Sequence, residues 1–274
     1  MDQTVGIHSV WKTWAVKVAW LHVAPVKGLL IEQRDHIVLG KHGVEEDRRF
    51  CLVDETGRML NGKRFAPVGT LSARFEPATD RLELRIAGDA PVSGTVRVGE
   101  ATLVTIYGHV ASGRLVEGPW SAALSEQLGR PIRLARLDDA GGGHDRARFA
   151  AGATLLSLAS LERLAEEAGT QTPVDPRRFR MLIGIDGATA HEEDSWIGRR
   201  VRVGEAVVAP AGNVGRCVVT TRRPGTAESD LDTLELLARY RREAPTSEPL
   251  AFGIWARVER AGRIALGDEI VVED

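Results

Sequence analysis

Apolar and polar positions alternate with a period of two through much of the first half of the chain, which predicts short strands between turn signals. Ala15–Val23 reads as a strand that Pro25 ends, and Phe50–Val53 as a short apolar strand closed by the turn Asp54-Glu55-Thr56-Gly57. Arg81–Ile86 alternates cleanly, with Leu82, Leu84 and Ile86 on one face and Arg81, Glu83 and Arg85 on the other. Val96-Arg97-Val98-Gly99-Glu100-Ala101 reads as a hairpin with glycine first in a two-residue loop. The identical hexapeptide recurs at Val201–Ala206. Two hairpins of one design fit two β-rich units, although V-x-V-G-[ED] is also a common hairpin sequence in its own right.

The pattern shifts to a helical period in only three places. Pro119 and Gly129 frame a helix over Trp120–Leu128. Ser160–Ala168 places Leu161, Leu164, Ala165 and Ala168 on one face, and Gly169 stops it. Ser229 with Asp232 resembles a capping box opening a third helix, whose apolar face is Leu231, Leu234, Leu237 and Ala238 and whose tail is Arg239, Arg241 and Arg242. Phe179–Ile185, Arg200–Ala209, Cys217–Thr221, Phe252–Val258 and Arg263–Val272 read as strands. The fold class expected is mainly β with attached helices (α+β), barrel-like, in two units meeting near Gly108–Gly118.

The 274 residues carry 36 Lys+Arg against 38 Asp+Glu, a formal net charge of -2, which argues against a nucleic-acid coat while leaving room for a local basic pocket. No apolar run is long enough to span a bilayer, and Asp2, His8, Lys12 and Lys17 interrupt any secretory h-region, so no membrane is expected. Two cysteines, Cys51 and Cys217, exclude a disulfide framework or a four-cysteine metal site and make a cytoplasmic location the expectation. There is no P-loop, no G-x-S-x-G elbow and no H-x-x-x-H pair. Gly141-Gly142-Gly143-His144-Asp145 could offer backbone N–H groups to an anion, or be a plain loop.

Arginine is more informative. Arg178 and Arg180 are expected to share one face of a strand, Arg200 and Arg202 repeat the spacing, and Arg222-Arg223 follow the Cys217 strand. Guanidinium groups in pairs can bind phosphate or carboxylate, or simply face water. Cys51, inside Phe50-Cys51-Leu52-Val53, reads as a buried small hydrophobe. Cys217, beside Arg216 at a strand's start, could be a nucleophile or a soft-metal ligand, or neither.

The stretch GRCVVTTRRPGTAESDLDTLELLARYRR, from Gly215 to Arg242, resembles the signature of the MOSC domain, the molybdenum-cofactor sulfurase C-terminal family. Asp175–Arg180 (DPRRFR), Glu192–Ala206 and Leu250–Val272 resemble the same family. Leu21–Gly28 (LHVAPVKG) and Gly43–Leu60 resemble its companion N-terminal β-barrel, so the similarity runs in order from about residue 17. It implies an N-terminal β-barrel domain over residues 17–117 and a MOSC β-barrel domain over 118–274, packed together.

Members with this architecture look like the molybdenum enzymes that reduce N-hydroxylated compounds such as amidoximes. The resemblance implies a molybdenum-cofactor-dependent oxidoreductase. In it Cys217 is catalytic and ligates the metal, a pterin dithiolene supplies two more sulfurs, and Lys27, Arg49 and Arg180 meet the pterin phosphate. Arg216, beside the cysteine, joins the cofactor-binding set. It further implies a small-molecule substrate and a separate electron-donor protein, since no ferredoxin-type cysteine cluster is present; no pyridoxal phosphate site is expected on this chain. The chain departs from the family pattern at Gly28 (a serine there), at Met181-Leu182 (proline and asparagine), at Val214 (a cysteine) and at Ala150-Ala151-Gly152 (a hydroxyl-rich stretch). Each lost hydrogen bond would weaken binding by about 0.5–1.5 kcal/mol. These departures suit a second reading, in which the cofactor has been lost and Cys217 serves as a nucleophile or persulfide sulfur carrier; a third is a non-enzymatic cofactor carrier. Both enzyme readings require Lys27, Arg49, Arg180 and Cys217 to converge on one groove between the two units.

Overall fold

The computed structural model describes residues 15–86, 90–138 and 152–273. Over these residues the chain is mostly β with three α-helices, an α+β fold. An eight-stranded sheet runs in the order Ile270–Glu273, Arg200–Val203, Ala206–Gly215, Ala251–Arg260, Ala153–Ser157, Ile183–Asp186, Lys17–Val23 and Glu32–Gln33. A five-stranded sheet holds Arg97–Ile106, His109–Glu117, Arg133–Leu137, Phe50–Val53 and Val26–Lys27. Two three-stranded sheets complete the set, and one of them pairs Gly262–Ala265 from the C-terminal half with His36–Gly40 from the N-terminal half.

The larger sheet encloses a core of aliphatic side chains around Leu21, Ile183, Val201, Val208 and Ile254. The five-stranded sheet and α1 (Trp120–Leu128) close a second core around Phe50, Phe75 and Trp120, with Phe50 and Phe75 edge to face at 5.0 Å between centroids. A third core lies under α2 (Leu158–Glu167) and α3 (Thr233–Tyr240), which pack on Trp20, Leu156 and Phe252. The Ser157 hydroxyl caps α2 by accepting from the Ser160 N–H, and Asp232 caps α3 by accepting from that of Glu235, as side-chain oxygens do at helix starts. Ser229 takes no part in that cap and bonds Thr221 instead.

The two halves interleave. Lys17–Val23 pairs antiparallel with Ile183–Asp186 in the larger sheet. Beyond the expected junction at 117/118, Arg133–Leu137 pairs with both Phe50–Val53 and His109–Glu117, so the smaller sheet continues past it.

Three expectations about local structure are corrected. The first copy of the repeated hexapeptide is no hairpin: from Arg97 onward it lies within the continuous strand Arg97–Ile106, and Gly99-Glu100 form a bulge where Val98 faces Val116 and Ala101 faces Arg114. The second copy is the expected hairpin, with Val203 opposite Ala206 and Gly204 at φ +56°. Cys217–Thr221 is not a strand: Cys217 caps a 3-10 helix, Val218–Thr221. Nor do Arg178 and Arg180 share a strand face, because Pro176–Arg178 is a 3-10 turn, Arg180 has φ +56° and the strand begins only at Ile183. Arg200 and Arg202 pair with Glu259, Glu273 and Glu269 on an exposed strand face.

Candidate functional site

The long strand Ala206–Gly215 is bent by irregularities between Val207 and Val208, Pro210 and Gly212, and Asn213 and Gly215. Bulges of this kind turn a strand and re-aim the residues at its end. Its ladder with Ala251–Arg260 ends at Gly215 opposite Ala251, and one further bond runs from the Arg216 N–H to the Leu250 carbonyl. Cys217 is the next residue, half-buried, with extended backbone (φ -139°, ψ 171°). Its carbonyl accepts from the N–H and the hydroxyl of Thr220, which fixes the loop behind the thiol.

Cys217 borders a cleft of about 310 Å³ at the seam of the two halves. Lys27, Gly28, Arg48, Asn61, Gly62 and Tyr107 come from the N-terminal half; residues 178–181, 211–217 and Trp255 come from the C-terminal half. Five cations line this space, Lys27, Arg48, Arg178, Arg180 and Arg216, against one carboxylate, Glu248.

Each cation is positioned by identifiable partners. Lys27 follows Val26 in a two-residue strand beside Phe50–Val53 and is 4% exposed. Arg48 is buried, pairs with Asp47, and donates from Nη2 to the Arg180 carbonyl at 3.0 Å. Asp47 in turn accepts from the Ala24 N–H at 2.7 Å. Arg180 reaches back across the seam to the Leu29 carbonyl. Arg178 donates to Asp230 at 2.6 Å, and Arg223 donates to the same carboxylate at 3.1 Å. The Arg178 hydrogen bond holds Asp230 below the usual carboxylate range, opposed by desolvation and supported by the Arg223 hydrogen bond. Arg216 is anchored inward. Its Nε donates to the Phe252 carbonyl at 2.9 Å, its Nη1 to the Phe179 carbonyl at 3.0 Å, and its guanidinium lies 5.4 Å from the Phe179 ring centroid.

Of the residues singled out from sequence, Lys27, Arg180, Arg216 and Cys217 meet at this cleft and Arg49 does not. The cause is local: Arg48 takes φ +55° and Phe50 begins a strand, so the arginine presented to the cleft is Arg48. Arg49 is instead desolvated near Arg136, Glu45, Asp80 and Asp138, with its pKa lowered chiefly by burial and then by Arg136. Sequence reasoning missed Arg48, whose only signal was its place in the pair Arg48-Arg49, and buried Asn213, whose backbone N–H donates to the Ser247 hydroxyl while its side chain accepts from the Ser247 N–H and donates to Asp194 at 2.6 Å. Cys51 lies in the apolar strand as expected, fully buried, its thiol pushed up to about 12 by desolvation. The glycine-rich segment 141–145 and Ala150-Ala151 lie outside the described residues.

Among the described residues, no group of three or more His, Cys, Asp or Glu side chains could hold a metal. A metal at this cleft would have one thiolate donor, Cys217, since the Met181 thioether is engaged by Arg216 Nη2, and would bring its other ligands with it. An anionic, sulfur-bearing metal cofactor meets that condition, because the cations suit its charge and the thiol suits its metal. Gly28 bears on the same question: at φ +94°, a conformation L side chains rarely adopt, it reflects a turn of the backbone as well as a missing hydroxyl.

Comparison with known proteins matches two family domains over most of the chain. The MOSC N-terminal beta barrel domain matches residues 15–127 and the MOSC domain matches residues 143–271. The chain is 27% identical to the molybdenum cofactor sulfurase of Drosophila mojavensis over 259 residues, which is 85% of this chain and 31% of that protein. It is 27% identical over 278 residues to that of Drosophila grimshawi, covering 92% of this chain and 34% of that protein. The chain thus spans about a third of the length of these curated relatives. Among solved structures, the YUAD protein from Bacillus subtilis aligns over 94% of both chains at 14% identity, with a TM-score of 0.43. YiiM from Geobacillus stearothermophilus aligns over 45% of this chain and 55% of that one at 17% identity, with a TM-score of 0.33. With both family domains matched in order along its length, this chain belongs to the MOSC family, a MOSC domain preceded by its N-terminal β-barrel domain.

Proposed function

We propose that the cleft binds the molybdenum cofactor and that the loaded protein reduces N-hydroxylated small molecules. The observation that supports this reading is the placement of Cys217 at the end of a bent strand, on a cleft where five cations face one carboxylate. Cys217 would donate its thiolate to the metal. Lys27, Arg48, Arg178 and Arg180 would face the cofactor's anionic part, while Arg216, held by two carbonyls, would keep the Cys217 loop in register. When bound, the cofactor supplies two-electron chemistry at an N–O bond. Reduction breaks that bond, consumes two electrons and two protons, and releases water. The electrons would come from a separate protein. We place the reaction in the cytoplasm, where both thiols stay reduced; among the described residues no helix is long and apolar enough to cross a membrane.

The experiment is metal and pterin analysis of the chain purified from a host that makes the cofactor. Molybdenum near one equivalent is expected, falling sharply in Cys217→Ser. Protein free of pterin under every growth condition would end this reading.

A second reading draws on Met181, buried on the cleft wall where the family pattern has a proline, and on the sulfurase relatives. In it Cys217 carries a persulfide in a cleft that holds no cofactor. Intact mass separates the two: a 32 Da adduct on Cys217 in protein without molybdenum supports the second, and its absence together with bound molybdenum supports the first.

A further inference from the structure

The hairpin joining Arg97–Ile106 to His109–Glu117 turns on two residues, Tyr107 and Gly108, both with positive φ (+48° and +86°). Two-residue turns of this kind favour Asn-Gly, and a bulky aromatic at the first position is an outlier. Core packing does not explain it, since Tyr107 is 41% exposed. Its side chain lies on the cleft wall with Cys217. Two ammonium groups attend the ring: Lys27 Nζ at 5.9 Å from its centroid, and exposed Lys63 Nζ at 5.5 Å. Backbone strain retained at a ligand cleft is a pointer to function. An aromatic face flanked by cations at a cleft mouth suits a flat π-system that carries negative charge.

We propose that Tyr107 is the substrate-stacking residue of this cleft, and that its substrate is a planar aromatic or heteroaromatic compound bearing an anionic group, drawn in by Lys63. This rests on the reading of the cleft as the reaction site and adds the class of molecule it accepts.

The test uses Cys217 as a reporter in the full chain, produced in a host that makes no molybdenum cofactor. Cys51 is fully buried, so Cys217 is the cysteine open to reagents. Its alkylation rates are measured with N-phenylmaleimide and N-ethylmaleimide, and with iodoacetate and iodoacetamide. Ratios within one variant, divided by the same ratios for glutathione, cancel changes in thiol reactivity. The wild-type chain should prefer the phenyl reagent about five-fold beyond glutathione. Tyr107→Phe should keep that preference, and Tyr107→Asn should abolish it while its Tm stays equal or rises, because asparagine tolerates positive φ. Lys63→Gln should lower the iodoacetate-to-iodoacetamide ratio about two-fold and leave the maleimide ratio unchanged. A wild-type phenyl preference no greater than that of glutathione, or one that survives Tyr107→Asn, overturns the proposal. Molybdenum content is read separately, so cofactor-free protein would refute the proposed function without altering these ratios.

Discussion

The two cysteines show how far one residue type can be read before its surroundings are known. Cys51 is flanked by apolar neighbours and is buried, while Cys217 follows Gly215-Arg216 and borders the cleft. The two should separate in opposite senses. Cys51→Ser places a hydroxyl in a dry core and should cost about 1–3 kcal/mol in urea denaturation while leaving the alkylation rate of Cys217 unchanged. Cys217→Ser should leave the denaturation midpoint of cofactor-free protein nearly unchanged, and on the proposed reading it lowers the molybdenum content of protein made in a cofactor-producing host. Histidine supplies a second residue-scale expectation. Burial lowers His22 to about 4, and burial followed by the charges of Arg241 and Arg163 lowers His191 to about 3. Unfolded, both titrate near 6.5, so the unfolded chain takes up protons first as the pH falls. Their contribution is complete above about pH 6.5 and is lost on acidification, down to about pH 4 for His22 and about 3 for His191, at no more than about 1.4 kcal/mol per pH unit each. A thermal-melting series from pH 7 to pH 4 should fall less steeply for His22→Phe than for the wild-type chain.

Elements were legible where neighbouring residues decide them and illegible where distant ones do. The helix Trp120–Leu128 ends where Gly129 takes φ +64°, a local stop signal visible in the sequence. The twin hexapeptides are the counterexample, because their local content is identical. The strand His109–Glu117 runs past the first copy and draws it into a longer ladder, while the second copy folds back on itself with Val203 opposite Ala206, its first arm also pairing with Ile270–Glu273. Alanine substitution should expose the difference. Gly204→Ala would force a positive φ on a residue with a Cβ and set it 2.5 Å from Asp268 and 3.0 Å from the Arg263 carbonyl, costing about 1–2 kcal/mol or more. At Gly99 the close neighbour is the exposed, flexible Glu117 side chain and φ is unrestricted, so Gly99→Ala should stay within about 0.5 kcal/mol. The candidate site follows the same rule. Cys217, Lys27, Arg180 and Arg216 carried legible motifs, while the choice between Arg48 and Arg49 depends on one left-handed residue before a strand that no alternation pattern reveals.

At the scale of the whole molecule, the seam between the halves is held by buried charge. Arg48 joins Asp47 to the Arg180 carbonyl, Arg180 reaches Leu29, and Arg222 reaches the Gly62 carbonyl. Removing one member of such a buried pair strands the other. Arg48→Met should therefore destabilise the chain by about 3–5 kcal/mol in denaturant titration, and adding Asp47→Asn should recover a large part of that loss. The interleaving of the halves also has a consequence for biogenesis. The strand Lys17–Val23 is made well before Ile183–Asp186, which completes its pairing in the larger sheet, and the Trp20 indole donates to a carbonyl 161 residues later. At ribosomal speeds of about 5–20 residues per second, that apolar strand waits on the order of 10–30 s for its partner. During translation it is an unclaimed sheet edge, so the nascent chain, more than the finished protein, is the form that calls for a chaperone.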